Sequence, residues 1–114
     1  MKLLVDSIFT EFRHLLKYHV LKIRLVENLH DPEDGLPLAG FVSKGRRHIY
    51  LDKDQCEHEK IKTLIHELAH ILLPSVAEKD IQKIEELLWQ KFSRKQKEFL
   101  EKRIPKRVSK VRPK

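Results

Sequence analysis

One apolar run, Thr63-Leu64-Ile65-His66-Glu67-Leu68-Ala69-His70-Ile71-Leu72-Leu73, ends at Pro74 and carries three strongly polar side chains in its middle. Leu64, Ile65, Leu68, Ala69, Ile71 and Leu72 wrap most of a helix of 3.6 residues per turn. The spacing therefore predicts a largely buried helix that stops where proline cannot continue it. A buried His-Glu-His group needs partners for its polar atoms. Positions four apart stand one turn above each other, so His66 and His70 can chelate one ion while Glu67 reaches a water beside it. With 7 His among 114 residues, and Glu at 11 positions, chance supplies roughly 0.04 such H-E-x-x-H matches per chain of this composition. A solvated helix face carrying the same three residues is the alternative, and the apolar wrap argues against it.

The length of 114 residues fits one domain with a modest core. No stretch is long and apolar enough to span a membrane, and Asp6 interrupts the first apolar run short of a signal sequence. The single cysteine, Cys56, rules out an internal disulfide and fits a reducing, cytoplasmic compartment. Cys56 reads as a free thiol near a helix start, with a thiolate at the metal as the alternative. Charge is uneven. Of the net +7, residues 91–114 supply 11 Lys or Arg against 2 Glu, which leaves the rest of the chain at −2.

Asp6 and Ser7 predict the start of a first helix, with Ile8, Phe9, Phe12, Leu15, Leu16 and His19 on its apolar face and an end near Val20. Alternation from Lys22 to about Asn28 predicts a strand, and His30 to Pro37 a loop. Leu38 to Ser43 and Arg46 to Asp52 predict a hairpin turning at Lys44-Gly45, with Gly45 supplying a positive φ. Asp54 and Glu57 have capping-box spacing ahead of the zinc-motif helix, which should run to about Leu73. Ser75 and Glu78 repeat it ahead of one long helix that ends by Pro105. Residues 106–114 hold too little apolar surface for a core and read as extended or disordered. The fold class predicted is α+β, a small three-stranded sheet with an N-terminal helix, a zinc-motif helix and a long C-terminal helix. Residues 1–103 form the domain and 104–114 a basic tail.

A catalytic Zn2+ takes three protein ligands and keeps one position open. No histidine follows His70, so the third ligand beside His66 and His70 is expected to be a carboxylate. The short link at Pro74-Ser75 folds the next helix back beside the first. Glu78 is the first choice, against a purely capping role for it; Glu85, two turns on, is the runner-up, and Asp80, on the other flank, is third. With a complete site, Glu67 is the general base that takes a proton from a zinc-activated water attacking a peptide carbonyl. Tyr50, His48 and Tyr18 are candidate oxyanion donors, and the sequence does not choose among them. A free sheet edge could hold an extended peptide or protein substrate by strand addition.

The order of helix, strands, a hairpin ending Arg47-His48-Ile49-Tyr50-Leu51, the run Thr63 to Pro74 and a short reversal into Glu78 and Ile81 resembles the minigluzincins. That resemblance implies a soluble, minimal gluzincin-like zinc metallopeptidase, similar to catalytic domains of integral-membrane metallopeptidases without their membrane helices. It also implies a zymogen whose C-terminal segment lies in the active-site cleft as its own inhibitor. By composition alone the same tail could instead bind nucleic acid or another acidic surface, making the chain a basic regulatory module with a structural or vestigial zinc site. No aromatic residue is interleaved with the tail charges, which argues against single-strand binding.

Overall fold

The first apolar stretch forms helix α1, Lys2–Tyr18, in the computed structural model, which describes residues 2–18, 21–43, 45, 47–110 and 113. The helix begins before Asp6 because Val5 enters the core, and a helix started at Ser7 would leave that apolar side chain behind. Its expected last turn, at His19 and Val20, lies outside the described residues.

Three strands follow, β1 (Lys22–Val26), β2 (Gly40–Val42) and β3 (His48–Asp52). β2 and β3 pair antiparallel as a hairpin requires. The expected turn at Lys44-Gly45 includes Lys44, which lies outside the described residues; positive φ is recorded at Asn28 and Gly35. β1 runs parallel to β3, with Ile23 opposite Ile49 and Leu25 opposite Leu51, so the order is β1-β3-β2. Alternation sends Leu25, Ile49 and Leu51 into the main core and turns Val26 and Tyr50 to the other face, where Leu29, Leu38 and Phe41 pack on them.

Helix α2, Glu57–Leu72, lays Ile61, Leu64, Ile65 and Leu68 against the sheet. Each such side chain contributes about 1.5–3 kcal/mol by leaving water. Its N-cap is Cys56, with no side-chain cap bond, and not Asp54. Asp54 instead sits in a turn, its N–H donating to the Asp52 carboxylate. The helix ends at Leu72 with Leu73 as its C-cap, immediately before Pro74.

The long C-terminal helix expected from the apolar period is two helices, α3 (Glu78–Lys91) and α4 (Arg94–Arg103). Ala77 is the N-cap of α3, and Ser75 is spent in the turn where the Val76 N–H bonds the Leu73 carbonyl. The break comes at Phe92, which takes extended backbone, and Ser93, whose hydroxyl accepts from the Gln96 N–H while the Gln96 side chain accepts from the Ser93 N–H. Bending there returns Leu100 and Ile104 to the core, and Phe9 packs edge-on between Phe92 and Phe99.

Beyond α4 the chain crosses to the outer edge of β1. Val108 bridges Leu25 in parallel, the Ser109 N–H donates to the Leu25 carbonyl at 2.6 Å, and Arg24 donates to the Ser109 hydroxyl. The architecture is α+β, four helices packed on a small mixed three-stranded sheet. Among the described residues no helix is long and apolar enough to cross a membrane.

Candidate metal centre

α2 carries His66 and His70 on one face, their ring centroids 4.9 Å apart, and sinks Glu67 beside them to 6% exposure. The turn at Leu73 to Ala77 is tight, with the Leu73 N–H still bonded to the Ala69 carbonyl at 2.8 Å. It sets the first residue of α3 against the histidines. The Glu78 carboxylate spans both rings, Oε1 standing 2.6 Å from His66 Nε2 and Oε2 2.6 Å from His70 Nε2. Two turns along α3, the buried Glu85 lies with Oε1 2.9 Å from His66 Nδ1.

Glu78, Glu85 and both histidines thus converge, and the two glutamates take different places. Glu85 serves the far nitrogen of His66. An Nδ1–H donated to Glu85 leaves the Nε2 lone pair turned toward Glu78 and His70, the tautomer a metal-ligating imidazole has. In that tautomer His66 Nε2, His70 Nε2 and the Glu78 carboxylate could together hold a cation, whereas a doubly protonated His66 would donate to Glu78 and Glu85 alike. Ligand atoms of His66, Glu67 and His70 also lie within 4.8 Å of one another. Of the three carboxylates beside the histidines, Glu78 alone contacts both Nε2 atoms, which places it best for a third ligand and leaves Glu67 beside the site.

Burial pushes the Glu67 carboxyl up to about 7; His66 opposes this, and the charges of Glu78 and Glu85 add to it. A carboxyl that exchanges its proton near neutrality is suited to acid–base work. The side chains open into a cleft of about 460 Å³, walled by α2 and α3 and on the other side by Leu38, Ala39 and Gly40 at the start of β2.

Several expected participants lie elsewhere. Asp80 is exposed and Cys56 is an exposed free thiol, and neither lines the cleft. Tyr18 is 74% exposed and edge-on to His14. Tyr50 is buried on the helix-free face of the sheet with His48 stacked on it, because both alternate to that side of β3. None of the three candidate oxyanion donors reaches the cleft, whose lining does include Lys62 and Gln82, both N–H donors. The basic tail expected in the cleft is not there in its described part: residues 108 and 109 lie along β1, across the sheet from β2. Sequence reasoning passed over Gly40, Gln55 and Thr63, which also line the cleft and whose meeting depends on contacts between distant segments.

Comparison with protein-family models, with curated proteins and with solved structures finds no match for this chain.

Proposed function

We propose that the chain is a zinc-dependent peptidase of the gluzincin type, as its resemblance to the minigluzincins implies. The observation that carries this reading is the Glu78 carboxylate reaching both His66 Nε2 and His70 Nε2 at 2.6 Å across the α2–α3 turn. His66, His70 and Glu78 would hold the ion, and Glu85 would orient His66 from behind. When bound, Zn2+ supplies Lewis acidity toward a carbonyl oxygen and raises the acidity of water.

The chain's own groups do the rest. Glu67 takes a proton from the attacking water and passes it to the departing amine. Substrate binds as an added strand. In the antiparallel β2–β3 pair, the Ser43 N–H bonds the His48 carbonyl and the Asp52 N–H the Ala39 carbonyl. Residues 39, 41 and 43 therefore spend their backbone groups on β3, and Gly40 and Val42 turn theirs outward along the edge beside the cleft. An extended peptide can pair there, with its scissile bond near Glu67.

The test is cleavage of an unstructured protein such as casein by zinc-loaded chain. Wild type should cleave, and Glu67→Gln should retain zinc while losing about 10²–10⁴-fold in rate. Cleavage by Glu67→Gln at the wild-type rate would refute this mechanism.

A further inference from the structure

We infer that Gly40 is a positioning residue, the side-chain-free point at which β2 closes onto α2 and fixes Glu67 within the cleft. Gly40 stands opposite Leu51, whose side chain enters the main core, so a side chain at position 40 would point the same way, down onto α2. A Cβ there would lie 2.5 Å from Thr63 Cγ2, 3.1 Å from Glu67 Cγ and 3.3 Å from Glu67 Oε2. The first distance is far inside van der Waals contact, so something must move.

Thr63 is held in place. Its hydroxyl lies 2.7 Å from Gln55 Oε1 and 2.8 Å from the Glu59 carbonyl, and its one hydrogen serves either. A β-branched side chain on a helix has little rotamer freedom to give up, and turning the methyl away would break these bonds. Gln55 is fixed in turn, its amide donating to the Ala39 and Asp52 carbonyls at 3.0 Å. The chain of contacts Ala39–Gln55–Thr63 therefore ties the approach of β2 to the helix at the spot where Gly40 passes over it. With Thr63 pinned, a methyl at position 40 must lift β2 from α2. That displaces the base relative to the outward backbone groups of Gly40 and Val42, along which a peptide would lie.

The kinetic consequence rests on the peptidase reading; the packing consequence does not. Gly40→Ala, Thr63→Ser and the double variant, all as full-length chains, test both. Thr63→Ser keeps the hydroxyl and removes the methyl that causes the closest contact. Four quantities are read: Tm of the metal-free protein, zinc per chain, and kcat and KM on casein. Gly40→Ala is expected to lower Tm, and to lower kcat at least tenfold with one zinc per chain retained. In the Thr63→Ser background the same substitution should cost a smaller drop in Tm and a smaller factor in kcat. Equal losses in the two backgrounds overturn the contact, and a Tm that recovers while kcat does not overturns the positioning role. If Gly40→Ala alone does not fold, failure of the double variant to fold overturns the inference as well. A wild-type chain that cleaves nothing, together with a Tm loss relieved by Thr63→Ser, sinks the peptidase reading and leaves the packing of Gly40 standing.

Discussion

The two edges of the sheet end in opposite ways. Along β1 the chain covers its own edge, with Val108 bridged to Leu25 and the Ser109 N–H on the Leu25 carbonyl. Along β2 the backbone groups of Gly40 and Val42 point away from β3, and Gly40 lines the cleft that holds His66, Glu67, His70 and Glu78. An open strand edge invites unwanted pairing, and proteins commonly cover or blunt it. Among the described residues, the covered edge lies across the sheet from the candidate metal centre and the uncovered one adjoins it. The contrast teaches that the basic C-terminal segment is placed as a sheet element, while the edge beside the glutamates is the one to which the proposed function assigns a substrate strand.

The largest effect expected concerns the carboxyl beneath the open edge. Glu67 has its carboxyl raised from 4.5 to about 7, so the folded metal-free chain keeps a proton that the unfolded chain releases between those pH values. Stability is therefore lost as pH rises through that window, by about 3 kcal/mol at full ionisation. Glu67→Gln does not titrate, and its Tm advantage over wild type in chelator should widen from pH 4.5 to 7; a constant difference would count against burial as the cause. Next, Glu85→Gln should weaken zinc binding about 10–100-fold, read by competition with a chelating dye, because a neutral amide behind His66 no longer raises its basicity as a ligand. Unchanged affinity would remove Glu85 from the site.

Two proline substitutions then probe the edges directly. Val42→Pro deletes an outward N–H on β2 and is expected to lower kcat/KM about fivefold to tenfold, one backbone hydrogen bond to substrate being worth roughly 1 kcal/mol, with a loss of Tm as well because the valine packs on the core. Ser109→Pro deletes the N–H bonded to Leu25 on the covered edge. It should lower Tm by a few degrees, about what 1 kcal/mol does in a domain of this size, and leave kcat/KM alone. A rise in peptidase activity on losing this contact would revive the tail as an inhibitor and collapse the contrast between the edges.

Much of the metal centre is legible in the sequence because it is local. The α2 periodicity, its stop before Pro74 and the short reversal bring Glu78 level with the histidines without any distant contact. Glu85 is visible as a flank residue, but its role at Nδ1 depends on which way the His66 ring turns. The break between α3 and α4 was hidden because Leu88, Phe92 and Phe99 keep a helical period across it. The Ser93–Gln96 spacing that marks the break is as plain as the boxes at Asp54 and Ser75, neither of which forms. Those two serve turns, where short polar side chains compete with helix caps. Tail placement and the closeness of Gly40 to Thr63 join segments far apart in the chain, and no local pattern encodes them.

The central claim, that Glu78 completes a metal site with His66 and His70, is tested most directly by zinc content after equilibrium dialysis of wild type and Glu78→Gln. The geometry predicts one zinc per chain in wild type and its loss in the variant, with the fold retained because Glu78 is exposed at the start of α3. Stoichiometric zinc in Glu78→Gln, or none in wild type, would contradict it.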